Sequence, residues 1–510
     1  MKKSTVIFLL AFAAAAASAE FVVTENTTWT SAADNIKFEG NSLTLTREDA
    51  RDMNSLYIDV GAYTGDVFLM SPTASNSAFL LLNGCTVKGT GGSLTISAID
   101  GGGDYYGKIT LGGKLSIQNA TLNISQATDR SFATSSVSTS IEVSSGGILN
   151  LDVAGATSGT SLSLGSSDKT GAINITGSRD SYYNIFFGTT NSSTVNGYAI
   201  NLLTSASSVT FNSDLAVNNY RGTMDANGKA VTFNASKNIV YTAFGFFDYG
   251  SLTFTGAGLK SLNTVSFGVP TNSSATVTVT GGTMAMQGTI TSYVNINVLD
   301  TVGAIALGAT TNPTVLNLYN GKTMTIGAGT AITMSTSAVS YLKIGSGNLV
   351  LNRSLVATAN NEIQLGAGAS ITMNADTSLG SRVNLLSTTA TFGVGADIAI
   401  DNFYFNVTSS LLTLAFADGA TLEIQSIDNL SNGNVYINGS INQQFKIYEV
   451  DEANLETYIA HFTSSTGNVY FEKISDGVYW VNTVVPEPAE WAAIFGALAL
   501  GLALWRKNRK

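Results

Sequence analysis

Few residues in this 510-residue chain could do chemistry, and their scarcity is the first constraint. It has one histidine, His461, and one cysteine, Cys85, so multi-histidine and multi-cysteine metal sites cannot be built from it. His461 lies in Tyr458-Ile459-Ala460-His461-Phe462, with no partner residue nearby in sequence to make it a catalytic base. Cys85 is expected to be a buried small hydrophobe, because an exposed lone thiol is an oxidation liability. The densest charges are Arg47-Glu48-Asp49-Ala50-Arg51-Asp52. Carboxylates beside arginines suit acid/base work on a sugar. Neighbours on a strand point to opposite faces, however, so a solvated cap or turn is the better account. Asp100-Gly101-Gly102-Gly103-Asp104 has oxygens for calcium, but it is unrepeated and lacks the spacing of calcium-binding rolls, so it reads as a polar loop. Asp376, Arg382, Asp397 and Asp401 fall near corners, where a carbohydrate-active enzyme would need them to converge. The tyrosine pairs Tyr105-Tyr106 and Tyr182-Tyr183 could stack on sugars, as exposed aromatics on many strand-rich surfaces could. No catalytic residue, cofactor or metal is assigned, and no enzyme activity is expected.

Both ends of the chain look like addresses. Lys2 and Lys3, the apolar run from Val6 to Ala17 and the small residues Ala17-Ser18-Ala19 form a secretory signal peptide over residues 1–19, with Ala17 and Ala19 set for signal peptidase. At the other end, Pro486-Glu487-Pro488 leads to a charge-free stretch from Trp491 to Trp505 and the basic tail Arg506, Lys507, Arg509 and Lys510. Fifteen residues of helix rise about 22 Å, short of a hydrocarbon core of about 30 Å, so this is a short transmembrane helix with its basic end cytoplasmic.

These three parts, in this order, resemble a PEP-CTERM sorting signal over residues 486–510. The resemblance implies a Gram-negative host and transient anchoring in the inner membrane. It also implies processing by an exosortase-type membrane enzyme, with delivery to the cell surface, outer envelope or extracellular matrix. It does not imply an activity for the passenger.

Residues 20–485 make up that passenger. Setting aside the six basic and two acidic residues of the ends leaves 19 basic against 33 acidic, a formal charge of −14. Such a surface repels nucleic acid. Ser, Thr, Asn and Gly supply 212 of the 510 residues and charged residues only 12%, yet 44% are hydrophobic, which excludes disorder. Apolar and polar residues alternate in short runs such as Ser93-Leu94-Thr95-Ile96-Ser97 and Thr276-Val277-Thr278-Val279-Thr280. Alternation over four to seven residues, bounded by Gly, Asn or Ser, is a strand pattern, so the passenger is all-β.

Glycines mark a repeat: Gly308, Gly327, Gly345 and Gly366 are 19, 18 and 21 residues apart, and GAGTAITM at 327–334 matches GAGASITM at 366–373. Corners at one phase let coils stack, each burying its neighbours' apolar side chains. The expectation is a right-handed parallel β-solenoid over 20–417, a rod of roughly 100 Å at about 4.8 Å per coil. Asparagines such as Asn352 and Asn374 would form ladders along it. Tandem β-sandwiches fit the strand spacing equally well; the glycine phase and the absence of proline-marked boundaries favour the solenoid. Residues 418–485 are richer in large aromatics and are expected to form a β cap, ending in a hairpin of Val469-Tyr470-Phe471 and Val478–Val481. The passenger resembles autotransporter-type surface proteins, although the sorting tail stands where their membrane barrel would be. A structural or adhesive protein contacting extracellular polysaccharide or a host glycan is expected, with a polysaccharide lyase or hydrolase on a β-helix as the alternative.

Overall fold

A computed structural model describes residues 20–29, 35–47, 51–54, 57–69, 79–83, 85–98, 108–112, 114–126, 132–134, 140–144, 147–152, 172–176, 186–187, 199–201, 208–213, 217–236, 238–270, 275–308, 313–335 and 340–483. The signal residues Ala17 and Ala19, the sorting residues Pro486, Glu487, Pro488, Arg506, Lys507, Arg509 and Lys510, the glycine loop 100–104 and both tyrosine pairs lie outside them. No helix among the described residues is long and apolar enough to cross a membrane. The chain is 64% strand and forms a β-solenoid of about 12 turns. It divides into two compact units, residues 1–177 and 178–510.

In the first unit three parallel sheets take one strand each from successive coils. Asn35–Phe38 and Tyr57–Gly61 stack in the first sheet, Leu43–Arg47 and Thr64–Leu69 in the second, and Arg51–Asn54 and Phe79–Asn83 in the third. Alternation decides what faces inward. Ile36, Ile58, Val87 and Ile117 occupy one register column and are all at most 2% exposed. Outside, Asn150 Nδ2 donates to Asn123 Oδ1 at 2.7 Å and Asn123 Nδ2 to Thr95 Oγ1 at 3.3 Å, a polar ladder across three coils. Cys85 is buried.

The second unit repeats the plan. One of its coils places Asn348–Leu351 in a first sheet, Leu355–Val356 in a second and Asn361–Leu365 in a third. Early in the unit a single strand bends through more than one sheet: Asn238–Thr255 pairs along most of its length with Val217–Ala235 before it. Along the first sheet, Val277, Ile296, Met324, Leu349, Ile371, Phe392 and Leu414 form one fully buried column. Each such side chain contributes about 1.5–3 kcal/mol by leaving water, and the coils above and below complete a burial that one coil alone cannot provide.

Among the described residues every strand pairing before the C-terminal hairpin is parallel, which removes the tandem-sandwich alternative, whose sheets are antiparallel. The expected asparagine ladder is present: Asn374 Nδ2 donates to Asn352 Oδ1 at 2.8 Å. The glycine phase is corrected. Gly308 ends a second-sheet strand, Ile305–Leu307; Gly327 ends a first-sheet strand, Thr323–Ile326; Gly345 and Gly366 end third-sheet strands. Only the last two share a corner, where a side chain on Gly366 would meet the Gly345 carbonyl oxygen at 2.4 Å. The matched octapeptides therefore sit on different faces, with Ile332–Met334 in the second sheet and Ala369–Met373 in the first. Register along the first sheet advances by 19 to 28 residues per coil because the corners differ in length.

Parallel coils continue past residue 418: Leu422–Asp428, Gly433–Asn438, Phe445–Ile447 and Phe462–Ser464 all stack on the coil before. The first antiparallel element is the expected hairpin, Tyr470–Ser475 with Val478–Asn482. Its second strand also pairs antiparallel with Phe445–Ile447, covering that strand's open edge. Phe462, Phe471, Tyr458 and Tyr479 pack together beneath it, with ring centroids 5.2–6.1 Å apart.

Two cations are buried at corners between the first and second sheets. Lys260, 1% exposed, donates Nζ to the carbonyls of Gly256, Gly258 and Gly281. Burial pulls its ammonium from 10.5 down to about 8, while the three carbonyls favour the charged form. With the folded value below the unfolded one, the unfolded chain binds more protons between about pH 8 and 10.5, so stability rises with pH through that window. The wild-type melting temperature should therefore gain on that of Lys260→Met between pH 8 and 10. Parallel melting curves would dismiss the titration.

Candidate functional site

The outward face of the third sheet in the second unit carries a polar grid. Register aligns Glu362, Arg382, Asn402 and Ser426 in one column and Gln364, Asn384, Tyr404 and Asp428 in the next. Apolar residues between them, such as Ile363, Val383, Phe403 and Ile427, point inward and anchor each strand, so the grid is held by the core rather than by loops.

Glu362 is the hub, 8% exposed. Its Oε2 accepts Arg382 Nε at 2.8 Å and lies 2.7 Å from Nη2, an ion pair between adjacent coils made through one carboxylate oxygen. Its Oε1 accepts Asn384 Nδ2 at 2.6 Å and Gln364 Nε2 at 2.8 Å. Three hydrogen bonds and one close guanidinium nitrogen thus surround the carboxylate and tie adjacent coils together. The Arg382 guanidinium lies 5.0 Å from the Tyr404 ring centroid. Further along, Asn402 Nδ2 donates to Ser426 Oγ at 2.7 Å, and Ser426 Oγ to Asp428 Oδ1 at 3.4 Å. Glu362, Arg382, Asp401, Asn402, Ser426 and Asp428 line an open groove of about 400 Å³, with Asp401 and Asp428 at its exposed rim.

A second groove, about 440 Å³, lies along the second sheet and includes Asp376, Asp397, Thr421 and Glu423. Its carboxylates are also engaged. Asp376 Oδ1 accepts the Asp397 N–H at 3.2 Å, Asp397 Oδ1 the Thr421 hydroxyl at 2.8 Å, and Glu423 Oε2 the Tyr448 hydroxyl at 2.8 Å. Among the described residues no group of three or more His, Cys, Asp or Glu side chains could hold a metal.

The four corner residues singled out by sequence thus separate into two pairs, Asp376 with Asp397 and Arg382 with Asp401. His461 is structural: its Nδ1 is 2.8 Å from the Gly433 carbonyl oxygen, which ties it to the coil before. Of the charged cluster 47–52, residues 48–50 lie outside the described ones. Sequence reasoning missed Glu362, Asn384, Asn402 and Asp428. A signal existed, since Glu362, Arg382, Asn402 and Ser426 recur at one-coil spacing, but it emerges only once the coil length is known.

Parallel sheets, corner-to-corner coils and a surface grid of polar side chains define a β-solenoid with one polar face. The chain matches no protein-family model, and no curated protein matches it.

Proposed function

We propose that this is an exported cell-surface or extracellular-matrix protein with a structural or adhesive role, its passenger a right-handed coil stack. The observation that carries the reading is the third-sheet grid, where amides, a hydroxyl and paired charges follow one another from coil to coil around a carboxylate hub that accepts three hydrogen bonds. A surface of this kind suits many weak contacts, which gain strength through multivalency. In this reading the signal peptide and the PEP-CTERM-like tail supply the route, through signal peptidase, transient inner-membrane anchoring and an exosortase-type enzyme. Extracellular polysaccharide or a host glycan is the partner.

A carbohydrate-active β-helix enzyme is the second reading, favoured by one observation: Glu362 and Arg382 pair on adjacent coils in a groove rimmed by Asp401 and Asp428. Purified protein incubated with acidic and neutral polysaccharides, scored for retention and for new chain ends, separates the two. Retention without new ends is expected. New ends above a heat-denatured control would replace adhesion with catalysis.

A further inference from the structure

We infer that the groove lined by Glu362, Arg382, Asp401, Asn402 and Asp428 is a subsite for a neutral, hydroxyl-rich glycan; this rests on the adhesive reading and adds the ligand class. The first ground is a pair of unsatisfied acceptors. Asn402 is 8% exposed and Asn384 5% exposed. Each spends its amide nitrogen on a neighbour, Ser426 or Glu362, and each leaves its buried Oδ1 without a hydrogen-bond partner. Buried carbonyl oxygens are nearly always bonded, so these two are unmet acceptors, which a ligand's donor reaches once the side chains that cover them shift. Asn402 lines the groove itself.

The second ground is the balance of donors and charges. Glu362, Asp401 and Asp428 bring three carboxylates against one guanidinium, and that guanidinium is engaged by Glu362. An anionic polymer meets net repulsion here and finds no free cation to pair with. A divalent cation lacks a converging set of ligands among the described residues. Among ligands without negative charge, sugar hydroxyls bring the many donors that these acceptors can take. The third ground is spacing. Successive coils in a parallel sheet are about 4.8 Å apart, so a polymer lying along the stack meets polar side chains at each step.

The test uses the full-length protein as wild type, Asn402→Ala, Asp428→Ala and Asn374→Ala, the last on a different sheet. Binding to a neutral galactomannan and to dextran is measured by affinity electrophoresis, with alginate as the anionic comparator. We expect wild type to be retained by a neutral polymer, Asn402→Ala and Asp428→Ala to lose at least tenfold in affinity, and Asn374→Ala to match wild type. Neutral-polymer retention unchanged in both groove variants would overturn the subsite and leave adhesion standing, and retention by alginate alone would do the same. No retention of any polymer by wild type would defeat the adhesive reading and the subsite with it. Asp428 stands at the exposed rim, so its variant carries the test if Asn402→Ala does not fold.

Discussion

Arg353→Leu should lower the unfolding free energy of the second unit by about 3–5 kcal/mol, since each buried carbonyl left without its donor costs about 1–3 kcal/mol and part of the set relaxes. The Arg353 side chain is 2% exposed and is held by carbonyls rather than by a carboxylate. Its Nε donates to Gly327 O at 2.6 Å, Nη1 to Val302 O at 3.0 Å and Gly303 O at 2.8 Å, and Nη2 to Ala328 O at 2.8 Å. Those acceptors belong to the two preceding corners, so one side chain ties three successive coils together. Leucine fills part of the volume but leaves these carbonyl oxygens, and that of Thr330 3.5 Å from Nη1, facing apolar carbon. Arg353→Lys should recover only part of the loss, because three donors on one nitrogen cannot span the same fork. Denaturant unfolding followed by far-UV circular dichroism reads the change. A cost below about 1 kcal/mol would mean that water takes over the carbonyls.

A loss of similar size, about 3–5 kcal/mol, is expected for Phe246→Ala, for a different reason. Phe246 is fully buried, with ring centroids 4.4 Å from Phe244, 5.4 Å from Phe254 and Phe267, 5.6 Å from Tyr241 and 5.8 Å from Phe233. It touches rings from its own coil and from the coils on either side, and backbones fixed by parallel ladders cannot collapse into the space it leaves. The cost should therefore fall toward the top of the range, and Phe246→Leu should cost under about 1.5 kcal/mol. The midpoint of chemical unfolding reports it. Equal effects for alanine and leucine would show that the cluster repacks.

Arg353 and Phe246 also mark how far the chain could be read without coordinates. The in-or-out assignment of Val277, Ile371 and similar residues was open to inspection, because side-chain alternation is a property of a single strand. The closing hairpin at Ser475-Asp476-Gly477 followed from an equally local pattern, whereas the Asn352–Asn374 ladder was expected from the coil repeat. The octapeptide match misled, since Ile332 and Ile371 have the same neighbours in sequence yet lie in different sheets. Nothing adjacent to Arg353 or Lys260 in sequence signals that carbonyls from earlier or later corners close around them.

Composition and two-residue periodicity by themselves determined that this passenger is built of strands with small apolar interiors and polar exteriors, because the pleat repeats every two residues whatever lies elsewhere. Tertiary structure alone decided which coil meets which. Corner lengths vary, so a coil takes anywhere from 19 to 28 residues along the first sheet of the second unit, and inter-coil register is a sum over loops that no local pattern encodes. That register is what sets Glu362 against Arg382, leaves Asn402 with an oxygen to offer, and gathers five backbone carbonyls within hydrogen-bond reach of one guanidinium.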